Sequence, residues 1–171
     1  MQYSNTVKSV VSVSVLGLLM LGLASTSVVA QASPATTTFG VSATVLKDCV
    51  VTASAMQFGN YTGAVDTPTS TITVTCTNTT TYTVSLNKGT TTGSAVNARL
   101  MAGSGGATLA YALYSNSTMT TLWGDGTSGT STVGGTGSGI AQPLPVYGQI
   151  AAGLYVTPGS YTDTITATVT Y

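Results

Sequence analysis

The sequence predicts an all-β fold, an antiparallel sandwich or barrel, on three observations. Apolar and polar residues alternate at period two in one short run after another. Threonine and valine fill those runs, and their β-branched side chains suit a pleated, half-buried surface. Glycine, asparagine, aspartate and proline collect between the runs, where turns need them. No run competes at the helical period.

The runs are taken in chain order. Phe39, Val41, Ala43 and Val45 share one face and Gly40, Ser42 and Thr44 the other, which predicts a first strand. Residues 71–76, 82–86, 98–102, 109–114, 143–150 and 161–171 predict the remaining strands. Turn chemistry separates them at residues 59–63, near Gly89, at 124–126 and at 158–160. Residues 124–139 hold one apolar side chain, Val133, and predict a long solvated loop that adds little to a core. Their glycines do not form a phosphate cradle, because neither a GxGxxG opening a helix nor a GK[ST] signature is present.

Composition narrows the function. A chain of 171 residues fits one domain with a sizeable core. Only 5% of it is charged, with four basic residues against four acidic ones and no histidine. That removes the cationic surface a nucleic-acid partner requires, and the 43% hydrophobic content excludes intrinsic disorder. Lys8, the apolar run 10–23 and the small residues up to Ala32 have the three-part layout of an export signal over residues 1–32, with cleavage after Ala30 or Ala32. The apolar run is shorter than the ~20 residues that span a bilayer. Export places Cys49 and Cys76 in an oxidising compartment, and an even cysteine count there predicts one disulfide, Cys49 to Cys76.

Chemistry at a site is poorly provided for. With no histidine or glutamate, neither a zinc nor a copper site is expected, and no cofactor is implied. The candidate bases reduce to Asp48, Asp66, Asp125 and Asp163, each with a turn or strand-end explanation, and no enzyme is expected. The ends of the exported chain are more informative. Ile165, Ala167, Val169 and Tyr171 form an apolar face that runs to the last residue, so a core strand is expected to stand with an open edge. An edge of that kind aggregates or is covered by a strand from another chain.

The motifs at residues 35–51, 56–61 (MetGlnPheGlyAsnTyr), 109–116, 121–127, 146–150 and 159–171 occur in an order and spacing that resembles the spore coat protein U domain family. Most proteins similar to that domain are subunits of archaic chaperone-usher pili, including the Csu-type biofilm pili of Gram-negative bacteria. The resemblance implies an incomplete immunoglobulin-like antiparallel β-sandwich, a pilin completed by a donor strand from a neighbouring subunit. On that reading residues 33–46 are the donor-strand extension, with Phe39, Val41, Ala43 and Val45 filling pockets, and residues 47–171 are the domain. Tyr161, Ile165, Ala167, Val169 and Tyr171 line the acceptor groove and pair with the chaperone. The implied partners are a periplasmic pilus chaperone, an outer-membrane usher and identical or related pilin subunits, with no nucleic acid. The implied location is an extracellular, cell-surface pilus reached through the periplasm, where it supports adhesion and biofilm formation. One domain with a donor-like extension resembles a shaft or adaptor subunit rather than a two-domain tip adhesin.

Three further readings fit the alternation. An outer-membrane β-barrel also alternates and ends on an aromatic. A carbohydrate-binding β-sandwich would use Trp123, Tyr111 and Tyr114 as stacking platforms, in competition with their use as core aromatics. A secreted spore- or surface-coat protein would assemble by the same strand exchange without forming a pilus.

Overall fold

The computed structural model describes residues 31–171. The expected export signal, residues 1–32, lies outside the described residues except for its last two, Gln31 and Ala32. The chain divides into two compact units at Ser42. Of the first, residues 31–42 carry no helix or strand and their side chains are exposed.

In the second unit, residues 43–171, a short 3-10 turn covers Ser104–Gly106 and the strands all pair antiparallel. Its strands are β1 (Cys49–Ala53), β2 (Thr69–Cys76), β3 (Thr81–Leu86), β4 (Arg99–Ala102), β5 (Thr108–Tyr114), β6 (Val133–Thr136), β7 (Gln142–Gln149) and β8 (Ala167–Thr170). One sheet has the order β1-β2-β7-β5-β4 and the other β6-β3-β8. Alternation explains the placement of β2 and β3. Ile72, Val74 and Cys76 are buried on β2, as are Tyr82, Val84 and Leu86 on β3, while the intervening residues are half-buried or exposed. The inner faces of the two sheets meet in one core, which also takes in Met101, Leu109, Tyr111, Leu113, Trp123, Val146 and Ile150. Both sheets keep open edges, the first at β1 and β4 and the second at β6 and β8. This is an incomplete immunoglobulin-like sandwich. It rules out the outer-membrane barrel, which requires a closed sheet.

β7 contains two prolines in what looks like a central strand. Pro143 and Pro145 stand opposite Thr73 and Thr71 of β2, but β5 pairs with β7 only from Tyr147 to Gln149. The prolines therefore lie where one side of β7 is an edge and no N–H is called for.

Three expectations from the sequence need correction. Residues 39–45 form no strand, because a ladder needs a partner and none is hydrogen-bonded to them; the first strand is β1. The glycine-rich stretch is not all loop, since Val133–Thr136 is β6 and pairs with β3. A Cβ on Gly135 would stand 2.5 Å from the Tyr82 hydroxyl, so glycine lets β6 lie against that ring. Finally, residues 161–171 are not one continuous strand. Thr162 bridges Ala102 on β4, whereas only Ala167–Thr170 pairs with β3.

Candidate functional site

The open edge of β8 borders a groove. β8 has β3 on one side, and among the described residues no strand lies on the other. One wall of the groove is Ala53 at the end of β1 with residues 54–59 after it, and the opposite wall is residues 161–165 with Ala167. Ile72, Leu86, Met101, Tyr111, Leu113 and Val146 form the floor of this 470 Å³ cleft. A second cleft of 540 Å³ shares Phe58, Gly59, Met101 and Tyr161 with the first and extends it past Tyr61, Leu154 and Tyr155. The floor of the first cleft is therefore the hydrophobic core itself.

Burial along the walls shows a missing layer. Tyr161, Asp163, Ile165, Ala167 and Val169 alternate inward, yet each is only half-buried, and so are Met56 and Phe58 across the groove. Val74 and Val84, at the same core but covered on all sides, are 0% exposed. Apolar surface left in water at ~25 cal/mol per Å² is a standing driving force for an added strand.

A polar network anchors one wall. Asp163 Oδ1 accepts from the Thr90 amide at 2.9 Å, the Thr90 hydroxyl at 3.1 Å, and the amide and hydroxyl of Thr91 at 3.3 Å each. The Tyr111 hydroxyl donates to Asp163 Oδ2 at 2.6 Å. Gly89, at φ +88°, closes this turn, and a Cβ there would run into the Asp163 carboxylate. Burial alone would raise the Asp163 carboxyl, but the hydrogen bonds from Tyr111 and Thr90 outweigh it and hold the group below the usual carboxylate range. Burial, with the carboxylate beside it, pushes the Tyr111 phenol well up. On β4, opposite Tyr111, Arg99 is 1% exposed and donates to the carbonyls of Leu86, Asn87 and Trp123. Desolvation lowers its pKa from the ordinary value.

The structure distributes the other candidate residues as follows. Cys49 and Cys76 are disulfide-bonded and stand directly opposite each other on β1 and β2. Phe39, Val41 and Val45 are 87%, 85% and 84% exposed, and Ala43 between them is exposed as well. Tyr171 is 52% exposed at the end of the wall strand. Among the aspartates, Asp66 bridges Ile150 and Asp125 bonds Thr127 in its own turn. The Asp48 amide donates to the Thr77 hydroxyl. Among the described residues no cluster of three or more metal-ligating side chains forms. The stacking platform is overturned: Trp123 is 0% exposed, with its Nε1 donating to the Val84 carbonyl at 3.0 Å, and Tyr111 is buried in the network above. Only Tyr114 keeps partial exposure, and it bonds Gln149. Sequence reasoning missed Arg99, the role of Asp163, and Met56 and Phe58 as a wall. The alternation of Met56 and Phe58 about exposed Gln57 was the available signal for that wall.

This groove can be set beside known proteins. The chain is 41% identical over 63 residues to Protein U of Myxococcus xanthus, a match that takes in 37% of this chain and 34% of that protein. It is also similar to a chain in the crystal structure of the CsuC-CsuE chaperone-tip adhesion subunit pre-assembly complex from archaic chaperone-usher Csu pili of Acinetobacter baumannii. There the TM-score is 0.55 and the identity 28%, covering 75% of this chain and 40% of that one. The chain thus spans well under two thirds of either relative. The Spore Coat Protein U domain family model matches residues 35–168, from the exposed Phe39 segment through both sheets to the groove wall at Ala167. With most of its length accounted for in this way, the chain belongs to the Spore Coat Protein U domain family.

Proposed function

We propose that this protein is a structural subunit of an extracellular pilus, assembled by the chaperone-usher route through donor-strand exchange, and that it serves surface adhesion and biofilm formation. The observation that carries this reading is the groove beside β8, whose floor is the hydrophobic core and whose walls are half-buried. In this scheme residues 1–32 are the export signal, residues 33–46 the donor-strand extension and residues 47–171 the acceptor domain. A periplasmic chaperone occupies the groove before assembly, an outer-membrane usher exchanges it, and the extension of another subunit fills it permanently. The relation to the Csu chaperone-tip adhesion complex supports the assignment of these partners.

Exposed apolar side chains on the extension suit that role. Phe39, Val41 and Val45 would each contribute ~1.5–3 kcal/mol on burial, and main-chain bonds to β8 would add the ladder. Such a sum is modest for a permanent joint, so filament persistence rests on a slow unfolding step rather than on affinity alone. No catalysis or cofactor enters.

The test uses the domain without the residues before Lys47 and a peptide of residues 35–46. Peptide binding should raise the melting temperature sharply and give an SDS-resistant complex, and Phe39→Asp with Val41→Asp in the peptide should abolish both. A domain equally stable with and without the peptide would refute strand exchange. Membership of the Spore Coat Protein U domain family favours a second product of the same exchange, a surface coat. Electron microscopy of the assembled protein separates thin fibres from a sheet-like layer.

A further inference from the structure

The second cleft is built differently from the strand groove. Its volume of 540 Å³ falls inside the roughly 300–1,000 Å³ of small-ligand sites. Hydrogen bonds tie together the two loops that frame it, residues 59–66 and 150–161. The Tyr61 hydroxyl donates to the Ala151 carbonyl at 2.6 Å and accepts from the Leu154 amide at 3.1 Å. The Gly153 amide donates to the Gly63 carbonyl at 2.9 Å, and Asp66 and Ile150 exchange main-chain bonds in both directions. Within the second loop the Tyr161 hydroxyl donates to the Thr157 carbonyl at 2.6 Å. A rim tied in this way is preorganised.

The rim carries an aromatic side chain that packing does not explain. Tyr155 lines the cleft yet is 89% exposed, and its ring edge rests over Gly63, where a Cβ would stand 3.1 Å from Cε1. Asn60, Thr62 and Ser160 line the same cleft and are exposed. None of the described residues lining it is charged. That set selects among ligands. Phosphate, nucleic acid and acidic sugars call for a cation, which the lining lacks. A purely apolar partner would strip water from the amide and the hydroxyls and leave them unpaired. A neutral pyranose satisfies both parts. Its weakly positive C–H face packs on the electron-rich face of a tyrosine ring, and its hydroxyls exchange hydrogen bonds with amide and hydroxyl groups.

We propose that this cleft is a binding site for a neutral saccharide, with Tyr155 as the stacking platform and Asn60, Thr62 and Ser160 as the hydrogen-bonding rim. The platform is none of the three aromatics that the sequence suggested, two of which the core takes up, Trp123 and Tyr111. The site stands independently of strand exchange, because Tyr155, Asn60, Thr62 and Ser160 lie outside the lining of the strand groove. Glucose polymers and N-acetylglucosamine polymers share this neutral chemistry, and the test separates them.

Isothermal titration of the full chain with cellohexaose, maltohexaose and N-acetylchitohexaose reads the site. At least one should bind, and its identity names the sugar. Tyr155→Ala should weaken that binding at least about tenfold, and Asn60→Ala about threefold. Tyr155→Trp keeps an aromatic face and should stay within about threefold of the parent. The melting temperature of Tyr155→Ala should match the parent, since the side chain is exposed. Saturation with a peptide of residues 35–46 should leave the affinity unchanged, whether or not the peptide enters the groove. Failure of all three sugars to bind overturns the proposal, and a simultaneous loss of self-association in Tyr155→Ala would assign the ring to a contact between copies. Equal binding by Tyr155→Ala and the parent overturns the placement in this cleft. Tighter binding of oligogalacturonate than of any neutral sugar overturns the ligand class. Displacement of the sugar by the peptide makes the two clefts one site and overturns a separate saccharide site.

Discussion

The carboxylate of Asp163 ties the Thr90–Thr91 turn and the Tyr111 ring to the wall of the groove, so its loss strands several donors at once. Asp163→Ala should lower the unfolding free energy by about 1–3 kcal/mol, read from the urea midpoint. The sign of its pH dependence follows from the lowered pKa. The contribution is fully present above the unfolded carboxylate value of about 3.9, and it is lost as pH falls through the lower folded value. Thermal melts should therefore decline more steeply below about pH 4 in the parent than in Asp163→Asn. At the same scale, Trp123 is wholly enclosed, and Trp123→Ala should cost about 3–5 kcal/mol in the same denaturation measurement. Neither role was legible beforehand. A lone aspartate near a strand start and a lone tryptophan each fit a surface reading as well as a buried one. Their partners lie far away in the chain, 52 positions for Tyr111 and 39 for Val84.

Among the elements, β2, β3, β4, β5 and β7 were readable to within a residue or two, because each alternates cleanly and ends in turn residues. β6 was not, since two of its four residues are glycine and local propensity argues against a strand. It exists because β3 offers a hydrogen-bonding partner and Tyr82 leaves no room for a Cβ. Gly135→Ala should destabilise by about 1–3 kcal/mol through overpacking, visible as a lower melting temperature. The Cys49–Cys76 bond ties β1, and with it the start of the groove wall, to β2. Cys49→Ala with Cys76→Ala should cost about 2–4 kcal/mol and weaken retention of the 35–46 peptide, both measurable in one peptide-titrated melt.

At the scale of the molecule, the apolar residues Phe39, Val41 and Val45 and the core surface beside β8 are both left in water. Phe39→Asp with Val41→Asp in the full chain should abolish polymer on size-exclusion chromatography. The monomer's melting temperature should hold, because exposed side chains at 87% and 85% contribute little to its own fold. The candidate site was half legible: the inward residues of 161–171 could be listed from alternation alone. The facing wall at Met56 and Phe58, and the core residues of the floor, could not, because they come from segments that share no local pattern with β8.

By itself the sequence determined the β class, the positions of most strands, the single possible disulfide and the faces that alternation assigns. These depend on side-chain period, turn chemistry and composition, all of which act over a few residues. Only the tertiary structure decided that β8 keeps an open edge, that β6 pairs with β3, and that Asp163 bonds Tyr111 at the groove with Arg99 buried opposite Tyr111 on β4. Strand order and buried polar partners are settled by packing and hydrogen-bond satisfaction between residues distant in the chain, which no local pattern encodes.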